Sequence, residues 1–136
     1  MFEFTIRLEG LPKIISNGSQ GSWRAKHFEK KKWSRAVADA CYDVVRQNYL
    51  ILPLKKAKIV LTRFSSKSPD FDGLVSSFKA CIDGLKVGGV ILDDNHSVVG
   101  QPRYKWVLAR RLEGRVEIIV KGVKDKPTKA AKSAKG

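Results

Sequence analysis

The sequence predicts a single α+β domain, on three observations. The chain has 136 residues with 43% hydrophobic and 29% charged, ordinary globular usage at a length that supports one core and leaves a second cramped. Its N-terminus alternates with a period of two, and a longer stretch further on repeats its apolar residues at helical steps. Phe2, Phe4, Ile6 and Leu8 alternate with Glu3, Thr5, Arg7 and Glu9, the pattern of a half-buried strand, and Gly10 to Pro12 ends it. Ser16 to Lys32 reads as a long basic loop. From about Glu29 to Tyr49, apolar Trp33, Ala36, Val37, Ala40, Cys41, Val44, Val45 and Tyr49 recur at three- and four-residue steps and predict one amphipathic helix. Lys58 to Phe64 predicts a second strand, and Ser65 to Pro69 a turn leading to Asp70. Leu74 to Leu85 predicts a second helix, ended by Gly88-Gly89. Val90-Ile91-Leu92 is a short apolar run. Two closing strands, roughly Val98 to Leu108 and Arg115 to Val120, are expected to form a hairpin around Glu113-Gly114. The order is β-α-β-α-β-β, with a mixed or antiparallel sheet carrying two helices. The domain is expected over residues 1–122, followed by a flexible basic Lys/Ala-rich tail over residues 123–136.

Charge narrows the class. There are 27 Lys and Arg against 13 Asp and Glu, a formal charge of +14. Between Lys13 and Arg35 seven basic residues stand against one Glu, a net of +6, and from Lys121 to Gly136 six lysines stand against one Asp, a net of +5. A polyanion is the economical partner, because cations that neutralise phosphates release condensed counterions. Arg24, Lys26, Lys30, Lys31, Lys32 and Arg35 are the expected backbone contacts, with Trp23 and Phe28 placed to stack on bases or to pack on the domain. No apolar run reaches the roughly 18 to 20 residues that span a bilayer, and Met1 to Phe4 lacks the basic-then-apolar order of a signal peptide. The expectation is a soluble, intracellular protein without membrane partners. Cys41 and Cys81 have no CxxC spacing and read as core residues.

The acidic residues run against this charge. Asp70, Asp72, Asp83, Asp93 and Asp94 account for five of the thirteen and lie within 25 residues. Carboxylates repel a phosphate backbone unless divalent cations sit between them. On a helix beginning near Asp72, Lys79 and Asp83 return to within roughly 20° of it, while Asp83 stands about 16 Å away along the axis, too far to share an ion. Asp70 and Asp94 are better partners for Asp72, and three carboxylates with open positions suit Mg²⁺ or Mn²⁺. The same residues also suit a purely structural role, with Asp72 as helix N-cap, Asp70 in a turn and Asp93-Asp94-Asn95 a polar turn. His96 reads as a turn residue, and Trp33 and Trp106 as core or interface.

The runs Asp70-Phe71-Asp72-Gly73-Leu74, Lys79-Ala80-Cys81-Ile82-Asp83-Gly84-Leu85 and Gly89-Val90-Ile91-Leu92-Asp93-Asp94 together resemble the RusA family of Holliday junction resolvases, typically carried by bacteriophages and prophages. The resemblance implies a homodimeric, Mg²⁺-dependent endonuclease, with Mn²⁺ able to substitute, that nicks four-way DNA junctions in the bacterial host cytoplasm. It implies that Asp70, Asp72 and Asp94 are metal-binding catalytic acids and that Lys79 is the motif lysine. There are two departures. Gly73 replaces the usual Asn, and the interval from Asp72 to Lys79 is nearly one helical turn longer than in the family pattern. A flap nuclease of the same fold and a non-catalytic basic nucleic-acid-binding module are the alternative readings, the latter separated by its indifference to Mg²⁺.

Overall fold

The structure, a computed structural model, describes residues 2–13 and 23–123. A four-stranded mixed sheet carries its helices on one face. Strands β1 (Glu3–Glu9), β2 (Ala57–Ser65), β3 (Arg103–Leu108) and β4 (Arg115–Gly122) lie in the order β1-β4-β2-β3. β4 is antiparallel to both β1 and β2, whereas β2 and β3 are parallel. The α+β class with a mixed sheet is therefore as the sequence predicts.

The expected closing hairpin does not form. β4 inserts between β1 and β2, and β3 goes to the sheet edge. Their burial explains the choice. Val116, Ile118 and Val120 of β4 are fully buried, as a central strand requires, while β3 has no buried residue. The stretch expected to open that hairpin, from Val98, instead holds the last two residues of a short helix, α5 (His96–Val99), and a connection.

Both long predicted helices are broken. α1 (Trp23–Ala40) begins well before the expected Glu29, so the residues read as the second half of a basic loop are its first turns. It gives way at Cys41 to α2 (Tyr42–Gln47), where the Cys41 N–H is shared between the carbonyls of Val37 and Ala38. The second predicted helix is two, α3 (Phe71–Ser77) and α4 (Lys79–Val87), joined at Phe78. Phe78 is fully buried and anchors that joint. The apolar run at Val90-Ile91-Leu92 makes a single parallel bridge, Ile91 to Leu54.

The core lies between the sheet and the pair α1 and α4. Ile59 and Leu61 of β2 and the buried β4 residues meet Trp33, Val37, Cys41, Cys81 and Leu85. Both cysteines are core residues, and burial pushes their thiols up to about 12. The helices approach closely because Gly84 lies at the crossing. A Cβ there would come within 2.5 Å of the Ser34 carbonyl oxygen and 2.7 Å of Val37 Cβ. The Ser34 hydroxyl donates to Asp83 at 2.8 Å across the same crossing.

Candidate nucleic-acid interface and acidic site

The strand β2 delivers the chain through Ser66 to Pro69 to Asp70, which caps α3. Its carboxylate accepts from the Gly73 N–H at 2.7 Å, and its carbonyl accepts from Leu74. Asp70, not Asp72, is thus the N-cap. The glycine standing where the family pattern has Asn supplies the capped N–H and is itself buried. Asp72 sits exposed in the first turn, where a carboxylate is favoured by the helix dipole. Between the two acids, Phe71 turns its ring edge to Tyr104 on β3, with centroids 6.5 Å apart.

The other three acids of the cluster belong to a different neighbourhood. Lys86, in the last turn of α4, pairs with Asp93 at 3.2 Å, and Asp94 and Asp83 also raise its pKa. Asp93 is drawn below the usual carboxylate range, first by the Asp94 N–H that donates to it at 2.7 Å and then by Lys86. Asn95 caps α5 and also donates to Asp93. One sequence cluster becomes two groups, Asp70 and Asp72 at the head of α3, and Asp83, Asp93 and Asp94 around the end of α4. Among the described residues, no group of three or more His, Cys, Asp and Glu could hold a metal.

Lys79 is separated from the Asp72 stripe by the break at Phe78. It lines a cleft of about 260 Å³ with Lys26 and Lys30 of α1, beside Ser76 and Ser77 of α3. Glu29 in the same cleft is held in place, accepting from the Trp33 indole at 3.0 Å and from the Lys13 N–H at 3.3 Å. The six predicted α1 cations therefore divide. At about 100° per residue, Arg24, Lys31 and Arg35 share one stripe, while Lys26 and Lys30 lie on the side of Trp33 that turns to the cleft. Arg24, Lys31, Lys32 and Arg35 are all exposed. Ser76 follows Asp72 by four residues, so the cleft opens about 6 Å along the same side of α3.

A comparison of the chain with protein-family models gives no match, and neither does a comparison with curated proteins.

Of the remaining sequence expectations, Trp33 is buried, and Trp106 is partly buried with its indole donating to the Ser65 hydroxyl at 2.9 Å. Phe28 is exposed. The side chain of Trp23, residues 14–22 of the predicted basic loop and residues 124–136 of the predicted tail lie outside the described residues. No helix among those described is long and apolar enough to cross a membrane.

Sequence reasoning missed Arg63. It points inward from β2, 7% exposed, with Nη1 donating to the Pro12 carbonyl at 2.8 Å and Nε without a hydrogen-bond partner among the described residues. Its inward position follows from strict alternation with Ile59 and Leu61, which a charged residue in an apolar strand obscures. The guanidinium ties the segment after β1 to the strand that leads to Asp70.

Proposed function

We propose that this chain is a Mg²⁺-dependent endonuclease of branched DNA, a RusA-type resolvase that nicks four-way junctions as a homodimer in the bacterial cytoplasm. The observation that carries this reading is the juxtaposition along α3. Two exposed carboxylates stand at its head, and a cleft lined by Lys26, Lys30 and Lys79 opens one turn below. Asp70 caps α3 and Asp72 suits its dipole, yet both stand exposed beside lysines that attract phosphate, where a carboxylate repels the backbone unless a divalent cation lies between.

The donor chemistry of the pair suits a hard cation. Mg²⁺ is commonly held by one or two carboxylates, with water and substrate phosphate completing the shell. Asp72, and the Asp70 oxygen not engaged by Gly73, would hold it. The ion would supply an activated water and charge neutralisation at the scissile phosphate. Lys26, Lys30 and Lys79 would hold the phosphates beside the scissile bond, and Arg24, Lys31, Lys32 and Arg35 would bind backbone across the exposed face of α1. Asp94 enters the proposal through its motif position, as the third acid.

The test uses wild type and Asp72→Asn with a labelled four-way junction and a matching linear duplex, in Mg²⁺ or EDTA. Paired, symmetric nicks in the junction only with wild type and Mg²⁺, with binding retained by the variant, support the proposal. Binding by both proteins with no cleavage of any branched DNA overturns it and leaves a binding module.

A further inference from the structure

The helices cover one face of the sheet, and the outer face carries a charge pattern of its own. Register fixes which side chains share it. Glu3, Lys121 and Lys58 lie in one row, Ile119, Val60 and Arg103 in another, and Glu117, Thr62 and Lys105 in a third. On the β1–β4 side charges compensate. Glu117 pairs with Arg7 at 3.7 Å and with Arg115 at 3.9 Å, and Glu3 pairs with Lys121 at 3.6 Å. On the β2–β3 side they do not. Among the described residues, Lys58, Arg103 and Lys105 form no ion pair, and the rows give β2 and β3 no acidic residue on this face.

Two further features point the same way. Lys58 stands directly opposite Lys121 in the antiparallel pair, and the one acid of that row, Glu3, is paired to Lys121, which leaves Lys58 beside a like charge. At that end the strands and α5 enclose a cleft of about 610 Å³, lined by Lys56, Lys58, Arg103, Lys121 and His96 and by no carboxylate. Val123, from which the Lys-rich segment continues, borders it.

We propose that this outer face of β2 and β3, with its cleft, is a second phosphodiester-backbone site, distinct from the α1 cleft. It would take a duplex arm of the same nucleic acid. An unneutralised cationic strip on an uncovered sheet face suits an extended polyanion, because each contact releases condensed counterions and gains entropy. That the polyanion is DNA rests on the function proposed above.

The experiment is a titration of the full chain with a fluorescent linear duplex in EDTA, read by anisotropy over a range of salt, so that neither metal nor cleavage enters. Wild type is compared with Lys58→Gln/Arg103→Gln/Lys105→Gln, with the fold of each checked by far-UV dichroism and thermal melting. The expected result is a plot of log affinity against log salt shallower by about 2 to 3 in the triple variant, near 0.9 per lost phosphate contact. Lys58→Arg/Lys105→Arg should keep the wild-type slope, and so should Arg7→Gln, whose charge is already compensated by Glu117. A folded triple variant with the wild-type slope overturns this second site while leaving the endonuclease reading intact. Absence of salt-dependent duplex binding by wild type overturns the nucleic-acid reading itself.

Discussion

The two acidic groups differ in what surrounds them. Asp83, Asp93 and Asp94 cluster about Lys86, with Asp83 also accepting from a serine hydroxyl across the α1–α4 crossing and Asp93 from the N–H groups of its own turn. Asp70 and Asp72 have no cation paired to them among the described residues, although lysines line the cleft one turn away. An acid compensated in place is accounted for by the fold, whereas the exposed Asp72, without an ion pair among the described residues, is the carboxylate on which the proposed function draws. Proximity along the sequence did not distinguish these cases.

Substitution at Asp72 should have the largest effect. Asp72→Asn is expected to lower junction cleavage by about 10³-fold or more while binding stays equal or tightens, since a repulsive charge has gone. Asp93→Asn should leave cleavage near wild type. Equal losses in gel-based cleavage assays of the two variants would erase the distinction between the groups. Asp94→Asn tests the one acid on which surroundings and motif disagree: its place beside Lys86 predicts cleavage near wild type, and its motif position predicts a loss comparable to that of Asp72→Asn.

Stability separates the groups in the opposite sense. Gly84→Ala should cost about 2 to 3 kcal/mol in urea denaturation, because its new methyl meets the Ser34 backbone rather than a side chain that can swing aside. Asp83→Ala should cost about 1 kcal/mol by removing the acceptor of the Ser34 hydroxyl. Asp72→Ala should shift the urea midpoint less than either.

The smallest effect belongs to the exposed pair. Asp93 has a lowered pKa in the folded chain, so its contribution is present above the ordinary carboxylate range and is lost as pH falls through the lowered value. Lys86 has a raised pKa, so its share persists below the ordinary lysine value and is lost as pH rises through the raised one. Thermal melts of wild type and Asp93→Asn should therefore differ most near neutrality and converge in acid. A difference that grows on acidification would contradict the pairing.

Much of this was legible in the residues themselves. The alternation of Phe2 to Glu9 gave β1, because a strand with one buried face writes its orientation into successive positions. Composition and length gave a single domain and the two periodicities its α+β class, whereas the excess of lysine and arginine read as loop and hid the first turns of α1. Less legible were the breaks at Cys41 and Phe78, since apolar residues at helical spacing carry on through both and the change lies in the backbone bonding, where the Cys41 N–H is shared by two carbonyls and the Phe78 N–H reaches back only as far as Val75. The N-cap was misassigned by two residues because Asp70 and Asp72 are the same residue type, and the bond to Gly73 decides between them. Arg63 stayed hidden because burial of a charge depends on an acceptor, the Pro12 carbonyl, 51 residues away.

By itself, then, the sequence determined the α+β class, the strands β1, β2 and β4 and where charge is dense, since these follow from local periodicity and from counting. Only the tertiary structure decided which strand becomes central and which acids share a neighbourhood. Strand order depends on how completely each face can be buried, which placed β4 inside and β3 at the edge. The grouping of carboxylates depends on where two short helices deliver the chain, which left Asp72 at one end of that path and set Asp94 beside Lys86 at the other.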